Sequence, residues 1–148
     1  MSGSQAGGYA GDVTVKTAWD TLANSAAATL VDVRTRAEWS YVGVPVLGSI
    51  GKATVFVEWD DFATGGLVPD FIGRLKTELA KLGVGPEAPL YFICRSGNRS
   101  RQAAVQATAA GYARAFNIAH GFEGRLDPER HRGTRESWKG EGLPWVQS

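Results

Sequence analysis

Apolar positions along the chain fall into two alternating patterns. Short runs rich in β-branched and aromatic residues occur at 29–33 (Thr-Leu-Val-Asp-Val), 54–58 (Thr-Val-Phe-Val-Glu), 89–93 (Pro-Leu-Tyr-Phe-Ile) and 112–118. Each has the length and composition of a strand, and residues 12–15 read as a further short one. Between them the spacing changes to helical. Phe71, Ile72, Leu75, Leu79 and Leu82 share one face of a helix that Gly83 ends. Residues 17–23 start another helix with Trp19, Leu22 and Ala23 on one face, Trp19 being read as core. The alanine-rich stretch after Ser100 is a strong helix former, with Ser100 as its cap and Gly111 as its stop. Strands alternating with helices predict an α/β domain of three layers. Its centre is a mostly parallel sheet of about five strands with helices on both faces, joined by right-handed crossovers.

The ends of the chain are patterned differently. Residues 1–11 are rich in Gly, Ser and Ala and read as a mobile tail. Residues 12–148 form a single domain by length. Within it, the charged stretch from Phe122 onward reads as a loop, a short helix around 134–139 and an extension packed back onto the domain. The segment 59–66 carries Trp59 and Phe62. Two readings are equally open for these aromatics: a wall of a substrate entrance, or a hydrophobic lid over the core.

Chemistry concentrates where the strand at 89–93 runs into Cys94, the single cysteine of the chain. The sequence continues Arg95-Ser96-Gly97-Asn98-Arg99-Ser100-Arg101 before the alanine-rich helix. A loop entering a helix presents unpaired N–H groups, and the helix dipole adds partial positive charge. Such a loop stabilises an anion, the first of which is the Cys94 thiolate itself. A free cysteine is commonly just a small buried hydrophobe. Three arginines and a glycine within eight residues favour the reactive reading. In open α/β sheets ligands bind beyond the carboxyl ends of the strands. Asp32-Val33-Arg34 lies at the end of another predicted strand and shares that location. A carboxylate there needs a partner, and Asp32 either pairs with an arginine or caps the turn into residues 35–39.

The cysteine loop resembles the active-site loop of the rhodanese-like sulfurtransferases. Residues 31–39 (Val-Asp-Val-Arg-Thr-Arg-Ala-Glu-Trp) and 116–124 (Phe-Asn-Ile-Ala-His-Gly-Phe-Glu-Gly), followed by Gly142-Leu143-Pro144, extend the resemblance in the family's order. Residues 41–52 depart from it: the family's Gly-His-Ile-Pro-Gly-Ala segment is replaced and its histidine is lost. The resemblance implies a rhodanese-like fold and a sulfurtransferase in which Cys94 attacks the sulfane sulfur of a donor such as thiosulfate. The loop N–H groups would hold the resulting persulfide, and a thiophilic acceptor would remove its outer sulfur. Arg95 is then the residue for the donor's anionic oxygens, Arg99 closes the loop, and Asp32 and Arg34 hold it in shape.

Two other functions fit parts of the pattern. A cysteine phosphatase or arsenate reductase also cradles an oxyanion in such a loop, but needs five residues between cysteine and arginine. Four separate Cys94 from Arg99 and six separate it from Arg101. A sulfur-carrier or binding module with little turnover is the third reading. The remaining composition narrows partners. A net charge of +1 favours neither nucleic acid nor an anionic membrane, and no apolar run approaches the roughly 20 residues of a membrane span. One cysteine excludes an intrachain disulfide. The two histidines, His120 and His131, have no second ligand at metal-binding spacing, so neither metal nor cofactor is expected. Whether either pairs with Cys94 is left open by sequence. The expected partners are a small anionic sulfur donor and a thiol, cyanide or protein acceptor. A cytoplasmic location suits a working thiol, and no secretory signal pattern opens the chain.

Overall fold

The computed structural model describes residues 8–60, 66–134 and 136–147. Five strands form one sheet: β1 (Gly11–Val13), β2 (Thr29–Asp32), β4 (Val55–Phe56), β5 (Leu90–Ile93) and β6 (Ala115–Ile118), in the order β1-β6-β5-β2-β4. Every neighbouring pair is parallel, as crossover connections through helices require. Side chains alternate between the two faces. Val31, Leu90, Phe92, Cys94 and Ala115 share one core with α3 (Phe71–Lys81) and α4 (Asn98–Ala109). Leu30, Tyr91, Ile93 and Ile118 share the other with α1 (Val15–Asn24). A strand covered on both faces must be apolar throughout, and all four residues of β5 are buried.

Several boundaries differ from the sequence pattern for identifiable reasons. Helix α1 begins at Val15 because the Thr14 side chain accepts from Thr17 N; Val15, Ala18 and Leu22 are buried, whereas Ala23 is exposed. Helix α3 is capped by Asp70, whose side chain accepts from Gly73 N, and Leu82 lies beyond its buried face. The strand expected over 54–58 is only two residues long. Its line continues as Val57 N→Asp32 O and Trp59 N→Val33 O, each within 3.1 Å. Residues 9–11 of the tail expected over 1–11 are packed onto the domain. Residues 1–7 lie outside the described residues, but Tyr9 is buried in the core and Ala10 N donates to Ala115 O at 2.9 Å.

The C-terminal stretch contains turns, with no helix around 134–139 among its described residues. Its N–H groups are used elsewhere: Trp138 N donates to Gly121 O and Lys139 N to Phe122 O. That pairing fastens the segment to the turn after β6 and places Trp138, fully buried, edge-on to Trp19 at 5.8 Å. A second sheet, absent from the sequence reading, pairs β3 (Val44–Pro45) antiparallel with β7 (Trp145–Val146). Trp59 settles as lid rather than wall: it is buried against Phe71, ring centroids 5.0 Å apart. Phe62 lies outside the described residues. Among the described residues no helix is long and apolar enough to cross a membrane.

Leu79 lies on the buried face of α3 and has no exposed surface. Leu79→Ala is expected to cost about 2–5 kcal/mol, through lost burial and the cavity left behind. Urea unfolding should show a lower midpoint with an unchanged slope.

Candidate active site

Strand β5 ends at Ile93 and delivers Cys94 beneath the first turn of α4. The sulfur accepts from Gly97 N at 3.2 Å and from Ser100 N at 3.3 Å. Gly97 is the N-cap of α4, but it has no side chain with which to accept the first-turn N–H groups. Cys94 Sγ occupies the place of a capping oxygen. Ser100, expected to be the cap, is instead the third residue of the helix and is wholly buried. Its hydroxyl contacts the sulfur at 3.2 Å and donates to Asn117 Oδ1 at 2.6 Å.

The loop is clamped by the turn after β6. Cys94 O accepts from Phe122 N at 2.8 Å, and Arg95 O accepts from Glu123 N and Gly124 N at 3.0 and 2.9 Å. Two glycines make this back-to-back packing possible. At Gly97 (φ +105°) a Cβ would collide with the carbonyl of Ala119. At Gly121 (φ +62°) one would lie 2.5 Å from Cys94 O. Both positions also use backbone conformations that L side chains rarely adopt.

Arginines surround the loop in different states. Arg99 is committed: its two terminal nitrogens meet Glu38 Oε1 and Oε2 at 2.7 and 2.9 Å, and Nη1 lies 3.4 Å from Asp60 Oδ1. Glu38 belongs to the short helix α2 (Arg36–Tyr41), where it forms a capping box with Thr35. Burial alone would raise the Glu38 carboxyl, but the Arg99 guanidinium and the Thr35 N–H outweigh it and hold the group at about 2. Hydrogen bonding to Glu38 in turn raises the Arg99 guanidinium above its ordinary value, with the Cys94 and Asp60 charges contributing. Arg95 and Asn98 are exposed, Ser96 is half-buried, and Arg101 turns back to Asn98 Oδ1 at 3.4 Å.

Asp32 and Arg34 form a wholly buried ion pair at 2.7 Å. Arg34 Nη2 also donates to Gly43 O at 2.8 Å, and the guanidinium lies 4.2 Å from the centroid of the Phe122 ring. Arg34 Nη1 has no hydrogen-bond partner among the described residues, so the ring face is its compensation. The pair therefore touches the cysteine loop indirectly, through the residue whose N–H holds Cys94 O.

Sequence reasoning did not single out three residues that the fold brings here. Glu38 takes Arg99, Asn117 takes Ser100, and Asp12 takes Asn117 Nδ2 at 3.0 Å. An asparagine inside the otherwise apolar β6 was the available signal, since a buried amide implies a partner. His120 pairs with Glu136 at 3.4 Å, and no hydrogen bond joins either histidine to Cys94 among the described residues. No group of three or more His, Cys, Asp or Glu is placed to hold a metal among those residues. A surface pocket of about 370 Å³, lined by Arg36, Trp39, Phe56 and Arg74, contains none of the thiol loop.

A parallel sheet with a cysteine at a strand's carboxyl end, held by the N–H groups of the next helix, defines an α/β protein built around one thiol. The chain belongs to the rhodanese-like domain family, a sulfurtransferase family whose model matches residues 14–126. It is 38% identical over 128 residues to an uncharacterized protein of Rickettsia conorii, covering 86% of this chain and 90% of the relative. A second uncharacterized protein, from Rickettsia prowazekii, is 32% identical over 116 residues, 78% and 80% of the two chains. The crystal structure of Rv0390 from M. tuberculosis superposes with a TM-score of 0.84 at 46% identity, covering 95% of this chain and 99% of that one. A polysulfide-sulfur transferase homodimer from Wolinella succinogenes shares the fold at 22% identity and a TM-score of 0.57, over 98% and 82% of the two chains.

Asp32→Asn leaves the Arg34 charge buried without a counter-ion and should cost on the order of 3–5 kcal/mol in urea unfolding. Replacing both, as Asp32→Leu with Arg34→Met, should cost much less. Glu38 is held near 2 when folded against an ordinary value of 4.5. Its contribution is complete above pH 4.5 and is lost as pH falls toward 2. The urea midpoint should therefore fall less steeply across that window in Glu38→Gln than in the unaltered protein.

Proposed function

We propose that the protein transfers sulfane sulfur from a small anionic donor such as thiosulfate to a thiophilic acceptor through a Cys94 persulfide. One observation carries this reading: the Cys94 sulfur faces two helix-N-terminal amides at 3.2 and 3.3 Å. Donors aimed at sulfur stabilise negative charge there in a site from which water is largely excluded. In the first half-reaction the thiolate attacks the outer sulfur of thiosulfate. The S–S bond of the donor breaks, and sulfite leaves with the electron pair. In the second, a thiol, cyanide or protein acceptor attacks the outer sulfur of the persulfide and regenerates the Cys94 thiolate.

The loop residues divide the work. Gly97 and Ser100 supply backbone N–H groups. Arg95, exposed and next to Cys94 in the loop, is the group for the donor's anionic oxygens. Arg99 is neutralised by Glu38 and Asp60, so it closes the loop onto α2 rather than meeting the donor. Ser96 and Asn98 form the rim. A polysulfide-sulfur transferase is built on this fold, which supports sulfane-sulfur chemistry within it. An engaged Arg99 and the four-residue spacing weigh against a phosphatase, which needs a free guanidinium over the oxyanion. The cytoplasm, where thiols stay reduced, is the compartment assigned to this chemistry.

Cys94→Ser should reduce thiocyanate formation from thiosulfate and cyanide to background while leaving the circular dichroism unchanged. After exposure to thiosulfate, the unaltered protein should gain about 32 Da, one sulfur atom, at Cys94. Arg95→Ala should raise the KM for thiosulfate more than it lowers kcat, with Arg95→Lys intermediate because a point charge replaces a planar fork. Full activity in Cys94→Ser would end the proposal.

A further inference from the structure

Behind the thiol runs a chain of side-chain hydrogen bonds that the sulfur-transfer mechanism does not use. Tyr9 Oη donates to Asp12 Oδ1 at 2.8 Å, and Asn117 Nδ2 donates to the same oxygen at 3.0 Å. Asp12 and Asn117 are register partners between β1 and β6, so backbone pairing holds the two side chains side by side. Burial, then the Asp12 carboxylate, push the Tyr9 phenol upward, so it remains a donor. Asn117 is 3% exposed and Ser100 is fully buried.

Hydrogen-bond capacity fixes the direction of every link. A carboxylate only accepts, so Asp12 claims the amide nitrogen of Asn117. That turns Asn117 Oδ1 toward Ser100, and Oδ1 also only accepts. The single hydroxyl proton of Ser100 is therefore given to Asn117, at 2.6 Å. What Ser100 presents to Cys94 Sγ, 3.2 Å away, is a lone pair. A lone pair suits the S–H of a thiol and opposes a thiolate.

We propose that Asn117 is a positioning residue: anchored by Asp12, it turns the Ser100 hydroxyl proton away from Cys94, so that the thiolate's hydrogen bonds come from backbone amides and not from that hydroxyl. The consequence for catalysis rests on the sulfur-transfer reading above. A thiolate with fewer donors is less abundant but more nucleophilic, because nucleophilicity falls as the charge is better stabilised. The relay limits how far the loop quiets its own nucleophile.

Other charged and titratable groups surround the sulfur. Arg95 lies in its loop, Arg99 and Arg101 on α4, and Glu38 and Asp60 behind Arg99. The closed Asp32–Arg34 pair ends β2, Asp12 and Tyr9 lie beyond Asn117, and His120 with Glu136 flanks the turn after β6. Asn117→Leu exchanges one neutral side chain for another of similar size and leaves all of these charges in place.

The test uses the ultraviolet absorbance of the thiolate, read as the difference from the same titration of the Cys94→Ser form of each protein so that the four tyrosines cancel. In Asn117→Leu the Ser100 hydroxyl loses its acceptor and turns to the sulfur. The thiolate titration midpoint should fall by about one pH unit, the worth of one charge-assisted hydrogen bond. Asn117→Asp keeps an acceptor facing Ser100, so its midpoint should stay or rise; loosened packing would move both variants the same way. In a Ser100→Ala background Asn117→Leu should shift nothing, since no hydroxyl remains to turn. An unchanged midpoint in Asn117→Leu, or the same fall in the Ser100→Ala background, overturns the proposal. Should Asn117→Leu not fold by circular dichroism, Asn117→Val, β-branched and suited to a strand, carries the same expectation. The titration needs no sulfur donor. Absent thiocyanate production alongside the predicted shifts would count against sulfur transfer and leave the relay standing.

Discussion

The buried pair of Asp32 and Arg34 is the contact through which the separate parts of the site are held in one frame. Two unit charges taken from water are costly to bury, and only close pairing with further hydrogen bonding makes their burial tolerable. Arg34 meets that condition by reaching in three directions: to Asp32 at the end of β2, to the Gly43 carbonyl before β3, and to the face of Phe122. Lys139 approaches the Phe122 ring as well, at 5.3 Å, and covers Trp145 at 4.0 Å. One aromatic ring thus joins the end of the second strand, the turn after the sixth and the C-terminal segment. Its own N–H binds the carbonyl of the cysteine.

Geometry around the thiol follows from that frame. The turn after β6 is fixed, and the cysteine loop packs against it so closely that glycine is required on both sides. The loop then has one course, and its first-turn amides converge on the sulfur. Side-chain caps normally satisfy such amides. Using a thiol instead couples helix capping to the proposed chemistry, because the atom that satisfies the amides is the nucleophile of the proposed sulfur transfer. The Glu38–Arg99 pair closes the opposite side of the same loop and keeps that guanidinium engaged.

Much of this was legible in the chain. Strand and helix order came from apolar spacing, because a parallel sheet covered on both faces demands unbroken apolar strands and its helices demand one apolar face. The thiol loop was legible because its residues are contiguous: strand, cysteine, glycine, arginine and helix follow one another within about three turns of chain. Asp32 was legible as an anomaly, a carboxylate ending an apolar strand, although its partner two residues away was one of two options.

Sequence by itself determined the α/β class, the central strand–thiol–helix unit and the membership of Asp32 and Arg34 at the sheet's carboxyl edge. These depend on local periodicity and on neighbours in the chain. Tertiary structure alone decided which residues meet the loop from a distance. Glu38 reaches Arg99 across 61 positions, and Asp12 reaches Asn117 across 105. It also decided that residues 136–140 turn rather than coil into a helix, since the N–H groups of Trp138 and Lys139 are taken by the carbonyls of Gly121 and Phe122. Ser100 shows the division most clearly. Its local preference is to cap a helix, but the cysteine sulfur already fills that place, so its hydroxyl is free to be directed by an asparagine on β6.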